Sequence, residues 1–249
     1  MAGNMTRRPI SPGAEEELGR IHKVLDKGEV ELVDYVGDDR AVARAARTSY
    51  QGSGGKTEEA DLRLITRLWK DRHTSPFEMV GLTFRIRLPI FVMRQHVRHR
   101  TASLNEWSFR YTECPELFFV PEHDDVRSQS KTNKQMGEGK LDEDAASKAR
   151  TLIDGMNHHA YSVYRQLLEL GVAREQARVV LPVSAYTQIV WSMDMRNLLH
   201  YLSLRLAADA QKEIRDYAAV MARIVKKGWP LIWKAFAESN KVAEYIDFH

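Results

Sequence analysis

The chain has one cysteine, Cys114, among 249 residues. A lone thiol rules out an intrachain disulfide and a cysteine-rich metal centre, and no metal is expected. No apolar run approaches the roughly 20 residues that a membrane-spanning helix needs, so no membrane partner is expected. Met1 to Arg20 also lacks the apolar centre of a secretory signal, which with the single thiol gives the expectation of a reducing, cytoplasmic setting. Excess charge is scarce, with Lys+Arg 37 against Asp+Glu 34. That balance permits nucleic-acid binding without arguing for it, and no nucleic-acid partner is expected. No internal repeat is visible. The length is enough to bury roughly 70–75% of the unfolded surface, so a core can form without staples.

The unusual segment is Arg98-His99-Arg100-Thr101-Ala102-Ser103-Leu104-Asn105-Glu106-Trp107-Ser108-Phe109-Arg110-Tyr111. Arginine offers a planar fork of donors matched to phosphate and carboxylate, and it stays charged at any working pH. Serine and asparagine add neutral donors and acceptors, and Glu106 can accept from a ligand N–H. The composition reads as a site for a multiply anionic, hydrogen-bonding ligand such as a nucleotide. A solvated basic helix face over Arg94, Gln95 and Arg98 is the plainer alternative. A single-strand-binding module using Trp107 and Tyr111 as stacking surfaces is another.

Residues 1–20 read as a loose arm before a single domain over 21–249. Period-2 alternation predicts strands at Glu29–Tyr35 and Leu82–Leu88, with short strands at Phe109–Thr112 and Leu117–Val120. Helices are predicted at Ala41–Tyr50, Leu62–Trp69 and Ile90–Arg98, in the span of Leu152 to Leu167 stopped by Gly171, and at Ala173–Leu181. A long helix over Met195–Lys227, capped by Asp194 and stopped by Gly228, precedes a last helical segment over Trp229–Phe248. Ser75-Pro76-Phe77-Glu78 reads as a capping box. Gln51–Lys56 reads as a mobile loop and Glu122–Lys148 as a polar surface excursion. The class is α+β, a central, mostly antiparallel sheet packed with helices and followed by long C-terminal helices.

The pattern R-H-R-x-x-S-x-N-E-x-S-x-R-Y, nine fixed residues in fourteen positions, is complete from Arg98 to Tyr111. It resembles the signature of the flavin-dependent thymidylate synthases. The likeness runs from about Asp26, through His73-Thr74-Ser75-Pro76-Phe77-Glu78, to the helices that hold Arg178 and Arg205. The resemblance implies a homotetramer with sites shared between subunits. It also implies an FAD cofactor, NADPH and 5,10-methylenetetrahydrofolate as co-substrates, and reductive methylation of dUMP to dTMP.

By the same resemblance, dUMP would meet Gln95, His96, Val97, Arg98, Glu106, Trp107, Ser108, Phe109 (through its backbone), Arg110, Arg178 and Arg205. FAD would meet Ser75, Arg98, His99, Arg100, Asn105, Glu106, Asp194, Met195, Arg196 and His200, with His73 in the flavin and folate region. Arg205 is the expected catalytic residue. It cannot act as an ordinary base, but its fixed charge can stabilise a pyrimidine that has lost its N3 proton. Met79 stands where relatives often carry a second histidine, and Asp194 and His200 stand where they often carry asparagines. Cys114 lacks the surroundings of the thiolate nucleophile in flavin-free thymidylate synthases and reads as a passive turn residue.

Overall fold

The computed structural model describes residues 8–49, 57–132, 137–240 and 246. Its centre is an antiparallel sheet of five strands: β1 (Ile21–Val24), β2 (Gly28–Val36), β3 (Gly81–Pro89), β4 (Ser103–Glu106) and a fifth, Tyr186–Asp194. Their spatial order is β1, β2, β3, the fifth strand, β4. Period-2 patterning places the core: Leu82, Phe84, Ile86 and Leu88 of β3 are buried on one face. The opposite face is cross-linked by charge. Arg85 pairs with Glu31, Arg87 with Glu29 at 2.7 Å, and Thr83 donates to Ser192 at 2.9 Å. All three are cross-strand neighbours in register, the sheet's unit of side-chain pairing.

The predicted strands at 29–35 and 82–88 are thus present. The fifth strand occupies a segment to which the sequence patterning assigns no element. Its alternation is plain in the structure, with Thr187, Ile189, Trp191 and Met193 buried between the less buried Gln188, Val190 and Ser192. Phe109–Thr112 is a turn instead of a strand. The Ser108 carbonyl accepts from the backbone N–H groups of Tyr111 and Thr112, so those groups cannot join a ladder. The edge position falls to β4, which pairs with the fifth strand from Ser103↔Ser192 to Glu106↔Ile189. Leu117–Val120 touches the sheet by one bridge, Phe118↔Ala185.

The remaining elements are mainly helices. They are α1 (Pro12–Glu15), α2 (Ala41–Thr48), α3 (Glu58–Lys70), α4 (Ile90–His96) and α5 (Glu143–Glu169). After these come α6 (Arg174–Ala177), α7 (Met195–Arg205), α8 (Lys212–Gly228) and α9 (Pro230–Ala237). The α+β class holds. A small hairpin, Ser128–Gln129 with Gly137–Glu138, interrupts the polar excursion over 122–148. The Gln51–Lys56 loop and the end of the last helical segment lie outside the described residues.

Residues 11–18 are not a loose arm. Ser11 caps α1, Ala14 is fully buried, and Gly228 packs so closely on it that an added Cβ would meet Ala14 Cβ at 3.2 Å. The predicted long helix over 195–227 is two helices. No glycine or proline marks the break, which comes from packing: Leu206 is buried, and Gln211 accepts from the Gln95 amide at 2.6 Å. The break leaves Arg205 as the last residue of α7, where the negative end of the helix dipole favours a cation. On α5 the apolar residues Leu152 and Met156 are 65% and 56% exposed, while Tyr164 reaches a second, smaller core with Phe109, Cys114 and Phe118.

Candidate active site

The motif begins where α4 ends. Arg205 reaches back from α7, donating through Nε to His99 Nε2 at 3.0 Å and through a terminal nitrogen to the Gln95 carbonyl at 3.3 Å. Behind His99 stands the fully buried Tyr201, ring centroids 4.9 Å apart and nearly perpendicular. Tyr201 in turn stacks on His96 at 5.3 Å and meets Trp191 edge-on at 5.0 Å. Burial, with the Arg205 and His200 charges, pushes the His99 pKa down to about 4. Burial, with His99 and Arg205, takes His96 to about 3. Both imidazoles are neutral at working pH.

His96, expected to meet dUMP, is enclosed in the core. It is 0% exposed, and its Nδ1 has no hydrogen-bond partner among the described residues. Val97, Arg98 and Arg100 face solvent, and neither arginine has a carboxylate partner among the described residues.

The far end of the motif lies elsewhere. A cavity of about 510 Å³ is lined by Glu106, Trp107, Ser108, Phe109, Glu175 and Arg178, among others. Glu106 on β4 accepts from Thr187 Oγ1 at 2.9 Å, and Asn105 beside it is exposed. The Ser108 hydroxyl accepts from Arg110 N–H at 3.3 Å, within a local turn and with no imidazole hydrogen-bonded to it. Arg110 is held loosely, 3.7 Å from Glu175, and Arg178 donates to the Glu175 carbonyl at 3.3 Å. These cations are available to an incoming anion.

A second cavity, about 570 Å³, is lined by Lys70, Arg72, Thr74, Arg196, Asn197, His200 and Asn240, among others. Arg196 donates to Glu78 at 2.8 Å. That contact replaces the predicted capping box: Ser75 opens a 3-10 turn (Ser75–Met79) with no side-chain cap, and Glu78 turns to Arg196 instead. Ser75 and His73 are both exposed on the segment entering this turn. Asp194 caps α7, its two oxygens accepting from the backbone and side-chain N–H groups of Asn197 at 2.9 and 2.6 Å. Both carboxylate oxygens are thereby engaged at the start of α7. Met195 does not contact a ligand through its side chain or N–H: the side chain is buried and the N–H donates to Val80 O at 2.7 Å.

Sequence reasoning missed Arg72, Tyr201, Trp191 and Thr187. Arg72 closes α3 in a Schellman pattern, with its own N–H on Trp69 O and His73 N–H on Leu68 O. It adopts φ 60°, where glycine is favoured. A charged residue kept at that position and lining a polar cavity is a functional signal, one that backbone geometry alone reveals. Cys114 is buried, and burial pushes its thiol up to about 12.

The fold is α+β, with two polar cavities, one lined by Arg72 and Arg196 and the other by Arg178, and a separate cluster of buried aromatic and imidazole rings around His96 and Tyr201. The thymidylate synthase complementing protein model matches residues 31–231. A flavin-dependent thymidylate synthase of Thermus thermophilus is 54% identical over 216 residues, 86% of this chain and 77% of that protein. The chain belongs to the flavin-dependent thymidylate synthase family. A relative of the same name from Ehrlichia ruminantium (strain Gardel) is 45% identical over 238 residues, covering 96% of this chain and 80% of that protein. Among solved structures, a UMP/dUMP methylase PolB from Streptomyces cacaoi, bound with 5-Br dUMP, aligns with a TM-score of 0.79 and 35% identity. That alignment covers 87% of this chain and 97% of the other.

Proposed function

We propose that this protein converts dUMP to dTMP by reductive methylation, with 5,10-methylenetetrahydrofolate as carbon donor, FAD as cofactor and NADPH as reductant, in the cytoplasm. The observation that carries the reading is the pairing of a complete family motif with Arg205, a fixed cation anchored beside its RHR end.

FAD carries a pyrophosphate, and the donor set around the 570 Å³ cavity suits it. Arg72, Arg196, His200, Asn197 and Thr74 offer cations and neutral donors, and the Asp194 carboxylate is turned to the Asn197 N–H groups at the start of α7. By the family resemblance, Ser75, Arg98, His99, Arg100 and Asn105 would add further contacts to the cofactor. When bound, the reduced cofactor supplies the hydride that completes the methyl group.

The dUMP phosphate would be held by Arg110 and Arg178 with Ser108, and the pyrimidine by Gln95 and Arg205. Charge-assisted hydrogen bonds of this kind are worth about 1.5–3 kcal/mol each. Arg205 keeps its charge, so it stabilises the negative ring that remains after N3 loses its proton. That raises electron density at the carbon to be alkylated. No cysteine nucleophile is required, and a thiol with a pKa of about 12 is a poor one at neutral pH.

Homotetrameric assembly completes the proposal. In one chain Arg205 and Arg178 serve different surfaces, while the unpaired edge of β4 and the exposed Leu152 and Met156 offer ground for other subunits. The test is direct. Purified protein should be yellow, release FAD on denaturation, and form dTMP from dUMP, methylenetetrahydrofolate and NADPH. Cys114→Ala should retain turnover within about twofold. Colourless protein that makes no dTMP, or an inactive Cys114→Ala that still folds, would overturn the reading.

A further inference from the structure

Arg205 is anchored by an unusual partner. A guanidinium only donates hydrogen bonds, so in the 3.0 Å contact from Arg205 Nε the acceptor must be the lone pair of His99 Nε2. A neutral imidazole that accepts at Nε2 carries its proton on Nδ1. The contact therefore fixes both the charge and the tautomer of His99, and leaves an N–H donor on the other side of the ring.

The ring itself has little freedom. Tyr201 abuts it at 4.9 Å with an interplanar angle of 75°, and Tyr201 is wedged between His96 and Trp191. Tyr201, His96 and Trp191 are 0–1% exposed. The Gln95 carbonyl takes a second Arg205 donor at 3.3 Å, so the guanidinium plane is set by two acceptors at the end of α4. Two of its five N–H donors are committed, and the remaining three have no partner among the described residues.

We infer that His99 is a positioning residue for Arg205: its neutral, Nδ1-protonated ring accepts from the guanidinium and holds it in orientation. Burial and the charges facing the ring (Arg205 and His200 from α7) oppose its protonation, with neutral His96 beside it on α4. The inference rests on the reading of Arg205 as the pyrimidine-activating residue.

Two measurements test it. In FAD-loaded protein with 15N-labelled histidine, NMR should report His99 as the Nδ1–H tautomer, unprotonated down to about pH 5. In Arg205→Met its pKa should rise toward the ordinary value of about 6.5. An Nε2–H tautomer, or an ordinary pKa with Arg205 present, would overturn the inference. In the second, His99→Phe keeps a ring but loses the acceptor, while His99→Gln keeps an acceptor oxygen. At saturating FAD, His99→Phe should lower kcat about 10- to 100-fold with dUMP KM changed less than about threefold, and His99→Gln should recover most of that loss. Wild-type kcat in a folded, FAD-saturated His99→Phe would make His99 a cofactor ligand only. If the wild-type protein makes no dTMP, the functional reading fails, and the tautomer measurement still decides the pairing.

Discussion

The two ends of the Arg98–Tyr111 motif differ in how finished they are. At the RHR end, His99 and Arg205 are bonded to each other and backed by the buried rings of Tyr201, His96 and Trp191. At the other end, Arg110 and Arg178 are exposed and share only one glutamate, at 3.7 Å through its carboxylate and 3.3 Å through its carbonyl. Exposed pairs of that kind contribute little to stability, about 0–1 kcal/mol. The fold therefore concentrates its rigidity around Arg205, the cation proposed to act on the pyrimidine. The end that would grip a phosphate waits for its ligand.

If that contrast is right, Arg205→Ala should produce the largest effect, lowering kcat by about 100- to 1000-fold, because an electrostatic group aimed at developing charge is lost. Single-turnover dTMP formation measures it. Arg178→Ala should instead raise dUMP KM about 10- to 100-fold with a smaller change in kcat, since it removes a binding contact made before and during reaction. Equal effects on kcat from both variants would erase the distinction between the two ends.

Acid should expose the buried end next. In the fold His96 and His99 have pKa values depressed to about 3 and about 4, so the unfolded chain binds more protons below its own value of about 6.5. Stability is then fully present above pH 6.5 and is lost as pH falls toward those values. For the fully buried His96 the slope approaches about 1.4 kcal/mol per pH unit below 6.5. Denaturant midpoints between pH 7 and pH 5 should show the decline, and His96→Phe should flatten it. The smallest effect is expected at Arg72. Arg72→Gly relieves a left-handed φ at a cost now near 1 kcal/mol, raising the melting temperature by about 2–4 °C, while FAD affinity falls several-fold. A variant that gains stability without losing FAD would remove Arg72 from the cofactor surface.

Much of this was legible in the residues. The alternation in Leu82–Leu88 reflects a half-buried strand in the middle of a sheet, and the motif's arginines nominate the anion site proposed above. What escaped was set by neighbours distant in sequence. Tyr186–Asp194 places a buried threonine where a hydrophobe would complete the pattern, because Thr187 donates to Glu106 eighty-one residues away. The break after Arg205 carries no glycine or proline, since Leu206 and Gln211 are drawn to partners elsewhere. His96 and Met195 sit inside matching segments, yet a one-residue rotation on a helix turns each into the core. Spacing can nominate a segment for a site, but which side chain faces the ligand is decided by packing.

The lone thiol has a practical consequence. Cys114 is 1% exposed, with a pKa near 12, so on the order of one molecule in 10⁵ carries its thiolate at pH 7. To a maleimide or a spin-label reagent the native protein is close to a blank. A single cysteine introduced at a solvent-facing position such as Arg63 on α3 could be tagged with a fluorophore without first deleting Cys114.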